Sequence, residues 1–169
     1  MNNLLPITIV ASLLLGGCGG GGGGGGGGSS SSTSGNASAL IGSWVTPCND
    51  SSDGTSSKSE ITYSSSEIQA LHFDYSDLSC VTKSSTETVI GKYVVGNDVT
   101  TSSGVIATEI DFFAESINGE SISEDIGYTI FYIDSGKLYL GDHANDAVDG
   151  TSPSKRPIDV DFNDYQLRR

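Results

Sequence analysis

From residue 39 onward the apolar residues fall into short runs, many of them alternating with polar positions, and Gly, Ser, Thr and Asn punctuate the gaps between them. Alternation with period two places one set of side chains on one face of an extended chain, and no stretch repeats with the helical period. The pattern predicts an all-β domain with strands at about 41–47, 58–64, 67–75, 87–95, 104–114, 126–133, 137–141 and 157–165. About eight strands in one domain's length of chain suit a small antiparallel meander barrel.

Turn chemistry sets an expected register. With Asn97-Asp98 as a two-residue hairpin loop, Val89 faces Ile106 and Ile90 faces Val105. Asn118-Gly119 as the next tight turn puts Ile106 opposite Phe131, and Ser135-Gly136 puts Phe131 opposite Leu140 and Tyr132 opposite Tyr139. The three turns agree on one apolar rung, Val89, Ile106, Phe131 and Leu140, which is assigned to the barrel interior together with Phe112 and Phe162. The neighbouring rung of the other face, Ile90, Val105, Tyr132 and Tyr139 with Ala107 and Ile130 nearby, is also apolar. Either another segment covers that face or it is an exposed interaction patch. In the last expected strand, Ile158, Val160 and Phe162 alternate with Asp159, Asp161 and Asn163, after Pro157 at its first position.

The first 38 residues read differently. Leu4 to Leu15 is a short apolar stretch, too short to span a bilayer, and it ends in Leu15-Gly16-Gly17-Cys18 before ten unbroken glycines. This run resembles the lipobox of bacterial lipoproteins, in which the cysteine is acylated and becomes the new N-terminus. The resemblance implies a signal peptide at 1–17, a lipidated Cys18 and an acyl anchor in the membrane. Gly19, in the position after the cysteine, implies by resemblance to enterobacterial sorting transfer to the outer membrane. The Gly/Ser segment to residue 38 lacks apolar surface to bury and reads as a disordered tether, leaving 39–169 as the barrel domain.

All the charged residues lie beyond residue 39, so the formal charge of −13 belongs to the folded part. Such acidity argues against nucleic acid as a partner. Outside the reducing cytoplasm, Cys48 and Cys80 form an even pair without CxxC spacing, which predicts a structural disulfide.

Gly42-Ser43-Trp44 opens the first strand and Arg156 precedes the last, which resembles the Gly-x-Trp and late-Arg pairing of lipocalin-like, calycin-type barrels. The resemblance implies first and last strands side by side, with an Arg guanidinium over the Trp44 ring. With the lipobox, the Gly/Ser tether, Cys48, Cys80, Gly91-Lys92-Tyr93 and Arg156-Pro157, the chain as a whole looks like the small lipocalin-like lipoproteins of Gram-negative bacteria.

The linear sequence displays no nucleophile elbow, metalloprotease motif or phosphate loop. His72 is placed to point inward from its strand, and His143 sits in an Asp-rich loop. Asp142, Asn145, Asp146 and Asp149 supply oxygen ligands, but their spacing fails the EF-hand pattern. The expectation is therefore a non-enzymatic barrel without cofactor or metal. It would bind a small or apolar ligand inside, or act through its outer face as an interaction module of an envelope assembly.

Overall fold

The computed structural model describes residues 33–143 and 146–169. The expected signal segment, Cys18, the part of the expected tether up to residue 32, and Asn145 lie outside them. The chain enters through helix α1 (Thr33–Leu40), so residues 33–38, expected to belong to the tether, are helical. Strands β1 (Gly42–Val45), β2 (Asn49–Asp50), β3 (Ser56–Tyr63), β4 (Glu67–Tyr75), β5 (Lys83–Thr100), β6 (Ile106–Ile117), β7 (Glu120–Asp134), β8 (Lys137–Leu140) and β9 (Gln166–Arg168) follow. All the pairings are antiparallel. Sequential neighbours from β3 to β9 pair in order, β9 returns to β1, and β1 pairs β3. Among the described residues, eight strands thus close into a meander barrel, with β2 as a two-residue addition on β3.

Closure takes away the unpaired edges of an open sheet. It also creates one interior, packed by Leu40, Trp44, Ile61, Tyr63, Val89, Ile110, Phe112, Phe131 and Leu138. Trp44 Nε1 donates to the Leu40 carbonyl at 2.7 Å, which fixes α1 against the first strand. Arg168 lies over the indole, its guanidinium carbon 5.3 Å from the ring centroid. Its Nη1 and Nη2 donate to the Ala39 and Ile41 carbonyls at 3.3 and 2.7 Å. The guanidinium therefore satisfies carbonyls at the helix C-terminus, which have no partner inside the helix, while stacking on Trp44.

The Arg-over-Trp geometry implied by the calycin resemblance is present, but Arg168 supplies it and Arg156 does not. Arg156 lies on the outer face of β6 and β7. Its guanidinium bonds Asp111 at 2.7 Å, approaches Glu109 at 3.4 Å and donates to the Ile110 and Thr129 carbonyls. Its guanidinium carbon stands 5.5 Å from the Tyr128 ring centroid. The reason is chain length: residues 153–165 cross the barrel's outside, so the closing strand begins at Gln166 instead of at the expected 157.

Two of the three expected turns form. Asn118 and Gly119 both have positive φ (52° and 81°), as do Ser135 and Gly136 (51° and 78°), the left-handed pairs of tight hairpins. The second turn sets Phe131 opposite Leu140 and Tyr132 opposite Tyr139, as expected. Asn97-Asp98 is no turn. β5 runs through it as a bulge beside Glu109, and the hairpin closes at 101–105, where Thr101 N–H donates to the Val105 carbonyl and Gly104 takes a φ of 89°. Val89 consequently pairs with Ile117 instead of Ile106, and Ile90 with Ser116 instead of Val105. A further bulge between Ala114 and Ser116 places Thr108, not Ile106, opposite Phe131. Ile106 is left at the end of β6, 62% exposed.

Cys48 and Cys80 are joined, with Cα atoms 5.9 Å apart. The bridge ties the chain after β1 to the loop after β4, where Asp77 accepts hydrogen bonds from Ser79, Val81 and Thr82.

Closure resting on Arg168 gives a prediction. Arg168→Ala should lose about 1–2 kcal/mol, combining one cation–π contact with hydrogen bonds from a charged donor. Denaturant titration checks it, and a variant as stable as the parent would remove Arg168 from the closure.

Candidate functional site

The structure separates the expected interior residues. Val89, Phe112 and Phe131 are buried in the core, and Leu140 packs half-buried against it. Phe162 is not inside. It lies on the outer face, 45% exposed, its ring 6.3 Å from Tyr132 and 5.3 Å from Tyr139. Between Ile68, Ala70, Val89, Gly91 and Phe112 there remains a cavity of about 10 Å³, room for roughly one water molecule.

Of the two readings left open for the doubly apolar sheet, cover by the chain itself is what the fold contains. Ala107, Ile130 and Val160 form a second buried cluster, with Val99, Val105, Tyr132 and Tyr139 packed against it. The cover is the strap of residues 153–165. Its stretch from 157 to 165 is the one expected as a strand, but its carboxylates compete with ladder formation. Asp159 accepts from Ser102 Oγ, from Ser103 Oγ at 2.7 Å and from Val160 N–H at 2.9 Å, and Asp161 accepts from Asn163 N–H at 2.8 Å. What remains of the strand is a single bridge, Gly141 to Val160. Gly141 is required there, because a Cβ would come within 2.6 Å of both Pro157 Cβ and Thr129 Oγ1.

The strap does not hide everything. Tyr132, Tyr139 and Tyr165 are half-buried, and with Phe162 they form one aromatic cluster on the outer surface, with Lys137 Nζ 4.0 Å from the Tyr165 centroid. Ile90, grouped with this face by the expected register, is elsewhere: it is 42% exposed on β5, opposite Gln69 of β4.

A polar constellation across β3, β4 and β5 was not legible in the linear sequence. β3–β4 register sets Ser59 opposite His72, and β4–β5 register sets Asp74 opposite Ser85. Ser59 shares the inward face of Ile61 and Tyr63, and His72 that of Ala70, which bears out the inward placement of His72. Ser59 Oγ is 3.0 Å from His72 Nδ1, and His72 Nε2 is 3.2 Å from Asp74 Oδ1. Asp74 Oδ2 accepts from Ser85 Oγ. The signal that could have found this is the β3–β4 hairpin: pairing Tyr63 with Ile68 forces Ser59 against His72.

The Asp-rich loop is otherwise engaged. Lys155 and Thr151 hold the Asp149 carboxyl well below the usual carboxylate range. His143 Nε2 lies 3.2 Å from Thr129 Oγ1, and burial pushes its pKa down. Among the described residues no three His, Cys, Asp or Glu side chains are grouped to hold a metal ion. Compared with known proteins, the chain matches no family model and no curated protein.

Two predictions come from the outer face. Tyr132→Ala combined with Tyr139→Ala should cost at least about 2 kcal/mol, because the rings carry the strap; half-burial keeps the loss below that of full core truncation. Equilibrium unfolding checks this, and an unchanged midpoint would mean that the strap does not need them. The second concerns Asp164, whose pKa burial and then neighbouring Asp161 push up to about 6. A pKa higher in the folded than in the unfolded chain favours folding while the group is protonated, and that stabilisation is lost as pH rises from about 4 through about 6. Asp164→Asn should therefore be the more stable protein at pH 7.5, by about 1 kcal/mol after discounting for solvent screening, with the advantage gone at pH 4. Melting curves at the two pH values decide it.

Proposed function

We propose that this is an exported lipoprotein, anchored through acylated Cys18 in the outer membrane, whose barrel acts through its outer surface as an interaction module of an envelope assembly. The observation that carries the choice of surface over interior is the packing of the barrel: its own side chains occupy the inside, and the cavity between Ile68 and Phe112 is about 10 Å³. A small apolar ligand needs a pocket of roughly 300 Å³ or more. The outer face offers Phe162, Tyr132, Tyr139 and Tyr165, and aromatic residues of this kind are enriched at binding hot spots. The disulfide fits an oxidising compartment.

The anchor and the surface are tested on the full chain. Metabolic labelling with a fatty-acid probe should mark the protein, and Cys18→Ser should abolish the label and release the chain from the membrane fraction. A chain that stays unlabelled ends the lipoprotein reading. Native mass spectrometry of the detergent-solubilised protein should give the mass of the acylated polypeptide alone. A stoichiometric small molecule surviving in the complex would instead return the function to ligand binding.

A further inference from the structure

From the Ser59, His72 and Asp74 line we infer a nucleophilic site: Ser59 is the acyl acceptor for short-chain carboxylic esters, with His72 as its general base. The hydrogen bonds run in one direction. Asp74 as a carboxylate only accepts, so His72 Nε2 must carry the ring proton that meets Oδ1 at 3.2 Å. That leaves Nδ1 as a lone pair, 3.0 Å from Ser59 Oγ, within the reach required of a base acting on a nucleophile. Ser85 Oγ donates to the second oxygen of Asp74, so the carboxylate is held at both ends. Serine, imidazole and carboxylate in this order are recognised by geometry and not by chain position. Here the ring is turned so that Nδ1, not Nε2, faces the serine.

Three adjacent strands hold the line rigidly, since each link crosses one ladder or spans two residues of β4. Ser59 N–H donates to Thr46 Oγ1 at 2.8 Å, which fixes the serine backbone from the β1 side. Access falls inward along the line: the Asp74 side chain is 51% exposed, that of His72 24%, and Ser59 as a residue 6%. The nucleophile at the deep end limits the substrate to a small acyl group.

The step balances without a metal or redox partner. Ser59 Oγ bonds to the ester carbonyl carbon as its proton passes to His72 Nδ1. The tetrahedral centre collapses by breaking the bond to the alcohol oxygen, and the alcohol leaves with that proton. Water then adds to the acyl-serine, giving its proton to Nδ1, and Ser59 leaves with it as the carboxylic acid is released. Asp74 is a positioning residue that holds the imidazole tautomer.

The test uses the detergent-solubilised full chain. Diisopropyl fluorophosphate should add one phosphoryl group, mapped to Ser59, and the urea-unfolded chain should leave Ser59 unmodified. With 4-nitrophenyl acetate, Ser59→Ala and His72→Gln should each slow nitrophenol release at least about 100-fold, the lower end for a lost general base, with melting curves verifying that they fold. Asp74→Asn should lower the rate at saturating ester and leave the half-saturating concentration unchanged. No adduct on Ser59 of the folded parent, or modification equally fast in folded His72→Gln, would overturn the assignment.

Discussion

Trp44 stands where the architecture must hold if the sheet is to be a barrel at all. β9 is three residues long and β1 four, so the ladder between the first and last strands is too short to close the sheet on hydrogen bonds alone. The indole makes up the difference by meeting three elements: α1 through the Leu40 carbonyl, the last strand through the Arg168 guanidinium, and the interior through its buried face. Because Arg168 also donates to carbonyls at the end of α1, helix, first strand and last strand are one cooperative unit.

The chain between β8 and β9 is long because it has a second task. Residues 153–165 leave the sheet, cross the outer face and come back only at Gln166. Arg156 anchors this excursion on Glu109 and Asp111, and Asp159 on Ser102 and Ser103. Leaving Ala107, Ile130 and their neighbours in water would forgo about 25 cal/mol for each Å² of apolar surface. The strap buries that surface with a few apolar side chains, and the tyrosines at its rim form an aromatic cluster with Phe162 on the outer face.

Bulges decide what each end of the barrel carries. In β5 the extra residue at Gly96-Asn97 reverses the faces, so Val95 packs inward while Val99 belongs to the outer cluster. In β6 the irregularity at Glu115 shifts the register with β5 by one residue, and the pairing ends at Val89 opposite Ile117, where β6 turns. β3, β4 and the start of β5 run on past it, and that extension is where Ser59, His72, Asp74 and Ser85 line up.

The sequence by itself determined what is local. Period-two alternation specified strands, left-handed turn residues placed the hairpins at Asn118-Gly119 and Ser135-Gly136, and the latter turn alone set Tyr132 against Tyr139. The cysteine pairing, Cys48 with Cys80, also followed from the even number of cysteines in the barrel domain and the absence of CxxC spacing. Tertiary structure decided everything that depends on a bulge or on competition between distant segments. Asn97-Asp98 has turn-forming residues, yet pairing with β6 kept it in a strand, and closing the hairpin at 101–105 instead took Ile106 away from Val89. Ile158, Val160 and Phe162 alternate like a strand, yet Asp159 bonds more profitably across to Ser102 and Ser103. Arg156 and Arg168 are equivalent as late arginines, and only the length consumed by the strap determines which one reaches Trp44. Alternation records which side of a strand is apolar; it carries no record of where a ladder slips, because a slip is settled by the packing of the finished barrel.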